Sequence, residues 1–173
     1  MAIGEIIKEV LSFFKDWTTY PLERLRGKEA HDKNIYAEIV IIISPEFMND
    51  FCEILGYNRY EKEHMSALMR YAEYSKRADK YFFDKKIQAS KNEFDKALAE
   101  LIHFLVDHFF VPRNPNLTHF ELYPDLLDNK SGEEIPKYEK LYKQREEELS
   151  GLQDETIGRY NNLIRTAKNK LLV

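Results

Sequence analysis

Apolar side chains recur at intervals of three and four over residues 3–17, which places them on one broad face of an α-helix. Thr19 and Pro21 follow as a cap and a first-turn proline, so a short second helix is expected to end at Gly27. The pattern therefore predicts two N-terminal helices within residues 1–27 that dock on the rest of the protein.

A strand competes with a helix at one place, the apolar run from Ile35 to Ile43. Four successive β-branched residues disfavour a helix there by roughly a few tenths of a kcal/mol each. A lone strand would leave its backbone groups unpaired, and no second run of this kind occurs to pair with it. We therefore predict a helix here and no sheet in the chain. Ser44 and Pro45 have the positions of an N-cap and an N1 residue for the next helix, which ends at Gly56.

Residues 59–111 form the central helical region, because neither glycine nor proline occurs between Arg59 and Val111. This region is either one very long helix or two helices joined at a weak point. Ser90 is the candidate break, since Ser90 and Glu93 have the spacing of a capping box and precede a new apolar stripe.

Residues 135–171 form the long C-terminal helical region, in which apolar side chains follow alternating spacings of three and four, as in a coiled coil. Gly151 and Gly158 weaken this helix by about 1 kcal/mol each relative to alanine, so we expect a kink or a stop at Ser150 and Gly151. The predicted fold class is all-α: a single domain of residues 1–173, built as a helical bundle or an array of helical hairpins.

Composition and charge change this picture little. The chain has 26 lysines and arginines against 30 acids, and its net charge of −4 provides no general attraction for nucleic acid or an anionic membrane. Cys52 has no partner for a disulfide, and the longest apolar run is far shorter than the roughly 20 residues of a membrane-spanning helix. The polar face of the first helix mixes acids with bases, which disfavours the membrane surface. We expect a cytoplasmic protein without a transmembrane segment.

Two Glu-x-x-His spacings, Glu61 to His64 and Glu100 to His103, resemble halves of a dinuclear metal site. They lie too far apart to share one centre, since each helical residue adds about 1.5 Å of rise. Glu100 and His103 also fall opposite the apolar stripe, where a local pair of His103 with Asp107 is the simpler interpretation. We predict no metal site and no cofactor.

His108 lies on the apolar stripe of the central region. It is either a base or a pH switch, or a core histidine that donates to a nearby carbonyl, and the second interpretation is favoured. The chain contains no phosphate-binding loop, nucleophile elbow or paired zinc-ligand motif. We therefore name no catalytic residue, although acid and base groups can converge from distant helices.

One face of the central region has an unusual composition. Tyrosines and cations follow one another there in steps of four, three, four and four: Arg70, Tyr74, Arg77, Tyr81 and Lys85. On a continuous helix they form a single line opposite the apolar side chains, Phe83 among them, so they should point outward while Phe83 is buried. Tyrosine with arginine is typical of interaction hot spots and of stacking surfaces. A solvated helix face remains the alternative.

These features lead to three functional hypotheses. The first is a non-enzymatic helical module that binds a protein partner or itself, through the C-terminal seam and the Arg70 to Lys85 face. The second is a module that binds an anionic ligand or nucleic acid on the same face. The third is a helical enzyme without a recognisable motif. An exposed aromatic patch would favour the first, a basic concavity the second, and converging titratable groups in a pocket the third.

Overall fold

A computed structural model of the chain describes residues 26–112, 119–123 and 135–173. Of these residues 79% are helical, which confirms the all-α class. The elements in chain order are α1 (residues 26–42), α2 (Pro45–Leu55), β1 (Arg59–Glu61), α3 (Lys62–Ser75), α4 (Lys85–His108), β2 (Phe109–Phe110), β3 (His119–Leu122) and α5 (Ile135–Leu171). The predicted helices of residues 1–27 lie outside the described residues, apart from their last two positions, and α1 runs through Gly27 without a break.

The run from Ile35 to Ile43 is helical and α2 forms as the sequence predicts, but the predicted helix end at Gly27 is wrong, because α1 continues through that residue. Ile35, Ile39 and Ile43 are spaced by four residues and are all buried. Full burial of each side chain contributes roughly 1.5–3 kcal/mol, which outweighs a propensity cost of a few tenths. Ser44 accepts a hydrogen bond from the Phe47 N–H at 3.1 Å, so it caps α2 as expected.

The central region divides at a different place from the one predicted. A connection of residues 76–84 separates α3 from α4, so the prediction of a break at Ser90 is wrong. The Asp84 carboxylate accepts two backbone N–H groups of the first turn of α4 and is its N-cap. Ser90 is instead a buried position of α4, where its hydroxyl accepts from Asn162 of α5 at 3.2 Å.

A buried lysine joins the end of α3 to the first turns of α4. Lys91 is 2% exposed, and its ammonium donates to the Asp95 carboxylate at 2.7 Å and to the Ser75 hydroxyl at 2.6 Å. Tyr71 donates to the other carboxylate oxygen at 2.7 Å. Burial, and then the neighbouring carboxylate, raise the pKa of Tyr71 well above its usual value. Because both charges have hydrogen-bond partners, the pair tolerates burial and links the two helices beside the connection.

A small antiparallel sheet contradicts the expectation that the chain has none. β3 lies between β1 and β2, with Tyr60 opposite Phe120 and Phe109 opposite Leu122. The rings of Tyr60 and Phe120 stack with centroids 5.0 Å apart, and Phe109 packs on Tyr60 at 5.2 Å. The strands have two to four residues, too few for a visible alternation, and β1 pairs with a strand far along the chain. Local pattern therefore did not predict them.

The C-terminal helix α5 is continuous over 37 residues, so the predicted stop beside Gly151 does not occur. It packs against α4 and α2, and six of its apolar side chains are buried within the chain. These side chains are Leu149, Tyr160, Leu163, Ile164, Ala167 and Leu171. The Tyr160 hydroxyl donates to the Ile43 carbonyl at 2.6 Å, which ties α5 to the corner between α1 and α2. Within the described ranges, none of the helices combines the length and apolar character needed to cross a membrane.

Gly158 lies on an exposed part of α5, where an added Cβ would meet nothing within 4 Å. We predict that Gly158→Ala raises the free energy of unfolding by roughly 0.5–1 kcal/mol, because alanine restricts the unfolded chain and favours the helix. Urea unfolding followed by circular dichroism measures the change. Gly56→Ala is the matched control, since its Cβ would meet the Glu53 carbonyl oxygen at 3.2 Å and no gain is expected. Unchanged or lower stability of Gly158→Ala would contradict the prediction.

Candidate interaction site

The predicted line of tyrosines and cations does not lie on one helix. Arg70 and Tyr74 belong to α3, Arg77 and Tyr81 to the connection of residues 76–84, and Lys85 is the first residue of α4. The chain leaves the helical path after α3, so the period of 3.6 residues does not carry across the connection. The expectation of one continuous outward face is therefore wrong in its geometry.

Tyr74 is the clearest departure from that expectation, because it is 9% exposed and not on the surface. Its hydroxyl donates to the Glu38 carboxylate at 2.8 Å, and Lys80 donates to the same carboxylate oxygen at 2.7 Å. These hydrogen bonds, first from Lys80 and then from Tyr74, lower the pKa of Glu38. Arg77 is engaged as well, since its guanidinium donates to Asp79 at 3.2 Å. Tyr74 thus supports the connection from within the fold, and Arg77 is paired with Asp79 at the surface.

Three aromatic rings meet on the surface where the start of α1 faces the connection. His31 and Phe83 have ring centroids 5.0 Å apart, Tyr81 and Phe83 are also 5.0 Å apart, and His31 lies 5.7 Å from Tyr81. The ammonium of Lys28 lies over the Phe83 ring, 5.3 Å from its centroid. Tyr81 is 43% and Phe83 40% exposed. We call these four residues, Lys28, His31, Tyr81 and Phe83, the aromatic loop surface.

The backbone beneath the aromatic loop surface is anchored by side chains. Asp32 is 3% exposed, and its two carboxylate oxygens accept the N–H groups of Phe83 at 2.7 Å and Asp84 at 2.9 Å. The Gln88 side chain accepts the N–H of Phe82 at 2.7 Å, and the Phe82 ring is buried. Three consecutive N–H groups are thus satisfied, which orders the segment that presents the exposed rings.

His31 adds a fourth anchor to the same segment. Its Nε2 lies 3.0 Å from the Tyr81 carbonyl oxygen. A carbonyl oxygen only accepts, so this nitrogen carries the hydrogen and donates it. His31 therefore has both a ring contact and a backbone contact with the connection, which fixes Tyr81 beside Phe83.

The charge around the aromatic loop surface differs from that of the whole chain. Residues 26–34 and 76–86 together hold eight lysines and arginines and four acids, whereas the chain carries a net charge of −4. Two of these acids, Asp32 and Asp84, direct their carboxylates at backbone N–H groups. Lys85 and Lys86 are exposed, and within the described part of the chain neither forms an ion pair. The surface is locally basic on an acidic protein.

Sequence reasoning identified part of this surface and missed the rest. Tyr81 was among the predicted residues, and the predicted Lys85 lies next to the surface at the start of α4. Phe83 was expected on the buried side and is partly exposed beside Tyr81. The available local signal was Asp84, which follows three aromatic residues and is a residue type favoured at the N-cap of a helix. It could have indicated that a new helix begins after Phe83. His31 lies 50 residues before Tyr81, so no local pattern could bring the two together.

The other candidate residues have structural partners. His64 accepts the Glu61 N–H at 3.1 Å and lies 3.2 Å from Asp50, while the predicted pair of His103 with Asp107 is confirmed at 3.2 Å. Among the residues that the structure describes, no group of three or more His, Cys, Asp or Glu could hold a metal ion. Burial raises the pKa of the Cys52 thiol to about 11, so it is a poor nucleophile.

His108 is half-buried, and its partner is a tyrosine and not the expected carbonyl. Its Nδ1 lies 2.6 Å from the Tyr123 hydroxyl, and its ring meets the Phe104 ring edge-on at 4.5 Å. Burial, followed by the positive charge of Arg145, lowers the pKa of His108 below its ordinary value. The structure thus favours the neutral imidazole at the end of α4.

The first prediction for this region concerns Asp32. Asp32→Asn replaces one accepting oxygen with an NH₂ group, so either the Phe83 or the Asp84 N–H loses its acceptor. We expect the free energy of unfolding to fall by about 1–3 kcal/mol and amide exchange at Phe83 and Asp84 to accelerate. Urea unfolding and hydrogen exchange by NMR measure the two effects. Glu29→Gln, which alters an exposed pair with Lys33, is the control. Unaltered exchange at both amides would refute the anchoring role.

The second prediction concerns His108 and pH. A folded-state pKa below the unfolded value of about 6.5 means that the unfolded chain binds the proton more readily. The contribution of neutral His108 to the free energy of unfolding should therefore be fully present above pH 6.5. It should decline as the pH falls from there towards the lowered pKa. His108→Gln should flatten this decline. Tyr123→Phe should retain most of it, because burial is the main cause of the lowered pKa of His108. Urea midpoints between pH 7.5 and about 5 test this. Equal slopes for wild type and His108→Gln would contradict it.

The aromatic loop surface has to be interpreted from its own residues. The chain matches no protein-family model, no curated protein and no solved structure. The functional interpretation therefore depends on the contacts, exposure and charge of the aromatic loop surface.

Proposed function

We propose that the protein is a non-enzymatic helical module that binds another protein through the aromatic loop surface. The observation that carries this proposal is the exposure of Tyr81 and Phe83, 43% and 40%, on a segment with an anchored backbone. Covering the exposed part of each ring, roughly 80 Å², would contribute about 2 kcal/mol per ring. Two adjacent rings of this kind have the character of an interaction hot spot.

The anchored backbone strengthens the proposal. A binding segment that must be ordered on association loses conformational entropy, which lowers its affinity. Here Asp32 and Gln88 already hold the N–H groups of residues 82–84, and His31 holds the Tyr81 carbonyl. A partner would therefore meet rings that are already in place.

The arrangement of the rings supports a protein partner over nucleic acid. Stacking of bases requires free and parallel ring faces. In the aromatic loop surface, Phe83 meets both His31 and Tyr81 edge-to-face, and Lys28 covers one of its faces. Such a cluster presents ring edges and a cation, which suit a side-chain pocket of a protein better than a stacked base.

The alternative of an anionic ligand has less support. One groove among the described residues, of about 180 Å³ between α4 and α5, bears on this alternative. It is lined by Glu93, Lys96, Ala97, Glu100, Glu155 and Arg159. Its arginine is paired with two of these glutamates, at 2.8 Å and 2.6 Å, so the groove offers little free positive charge. The open basic surface near Phe83 lies elsewhere, at the start of α4.

Self-association was expected to use the C-terminal seam. From Leu149 to Leu171 that seam is largely covered by the chain's own α4 and α2, so it offers no surplus surface there for a second copy. If the partner is a second copy, we propose that the aromatic loop surface makes the contact.

Photocrosslinking tests the proposal even while the partner is unidentified. We expect p-benzoylphenylalanine at position 83 to form a discrete protein adduct on irradiation in cells, because the ring would lie in the interface. The same group at position 99 is the control, since Ala99 is exposed and lies about 20 Å further along α4. An adduct of twice the mass of the chain would identify the partner as a second copy.

A second variant separates a real interface from random collision. Tyr81→Ser in the chain labelled at position 83 should reduce the adduct severalfold while leaving the melting temperature nearly unchanged, because this side chain is 43% exposed. Equal labelling from positions 83 and 99, or an adduct that Tyr81→Ser does not reduce, would refute the proposed interface.

A further inference from the structure

We infer that the partner of the aromatic loop surface is an acidic protein segment that carries one apolar anchor residue. This inference rests on the proposed function and adds the chemistry of the partner. It follows from the contrast between the basic surroundings of the exposed rings and the net negative charge of the chain. Opposite charge at a contact accelerates encounter and excludes partners of the wrong sign.

The cations around the rings are more available than the acids. Of the four acids in residues 26–34 and 76–86, Asp32 and Asp84 accept backbone N–H groups, Glu29 pairs with Lys33 and Asp79 pairs with Arg77. By contrast, Lys85 and Lys86 have no anionic partner within the described residues and follow Phe83 almost directly. Carboxylates supplied by a partner would pair with cations that the chain leaves open.

Lys28 places positive charge on the apolar anchor site itself. Its ammonium lies 5.3 Å from the centre of the Phe83 ring, within the range of a cation–π contact. A partner side chain that packs on Phe83 or Tyr81 therefore lies next to this cation. Asp or Glu next to such an anchor would be attracted to the Lys28 ammonium and would strengthen binding most. An apolar residue between acids is thus the sequence that this surface recognises best.

Selection from a random-peptide display library tests the inference directly. The purified protein serves as bait, and enriched peptides are synthesised for affinity measurement. We expect them to contain an aromatic residue or leucine flanked by an excess of Asp and Glu. Lys85→Gln with Lys86→Gln should weaken their binding about three- to tenfold, and higher salt should weaken wild-type binding in the same direction.

Two control variants make this result specific. Lys140→Gln with Lys143→Gln removes the same charge from exposed positions in the N-terminal part of α5 and should leave affinity unchanged. Tyr81→Ser with Phe83→Ser should abolish binding. Circular dichroism and melting temperature confirm that each variant is folded before its affinity is compared.

The outcomes separate the two proposals. Enriched peptides that are neutral or basic, but still require Tyr81 and Phe83, would overturn the acidic partner and leave the interaction module standing. Peptides that bind the Tyr81→Ser and Phe83→Ser variant equally well, or no enrichment at all, would overturn both. A 20-nucleotide polyuridine RNA serves as a polyanion without an apolar anchor. Tighter binding of this RNA than of the peptides would assign the surface to nucleic acid.

Discussion

The buried carboxylate of Asp32 is the constraint on which the connection between α3 and α4 depends. Its two oxygens accept consecutive N–H groups, those of Phe83 and Asp84, which would otherwise be unpaired close to the core. Leaving such a group unsatisfied costs about 1–3 kcal/mol. Because the Asp84 backbone is held, its side chain is positioned to cap the first turn of α4. One carboxylate thus sets both the shape of the connection and the point at which the next helix begins.

The long helix α4 extends from this connection to the small sheet and packs against α5. α4 and α5 run antiparallel, since Ser90 meets Asn162 near the start of α4 and Thr156 donates to the Ala97 carbonyl further along. The aromatic loop surface lies beside the first residues of α4, and β2 of the small sheet directly follows the last residue of α4. α4, packed on α5, separates the two. The start of α4, beside the rings, therefore lies roughly 35 Å along the helix from His108 and the sheet.

Local rules accounted for the regular helices. The spacing of Ile35, Ile39 and Ile43, the Ser44 cap and the period of α5 are all properties of neighbouring residues, and each predicted its element. Three features depend instead on partners elsewhere in the chain. They are the end of α3, the short strands, and the continuity of α5 past its glycines. Asp32 acts on a segment 51 residues away, and Tyr60 pairs with Phe120. The candidate site divides in the same way. Tyr81 belonged to a local pattern, whereas Lys28, His31 and Phe83 join it through contacts that no periodicity encodes.

The separation in sequence between Asp32 and Phe83 also sets an order of events during synthesis. α1 leaves the ribosome well before the connection does, so His31 and Asp32 must wait for about 50 further residues before their partners exist. Contacts between distant residues form slowly because a long loop has to close first. The arranged rings therefore appear only when both parts of the chain have met. A full-length chain that has not yet folded would display the same aromatic residues without their geometry, so the proposed partner would distinguish folded from unfolded copies of the protein.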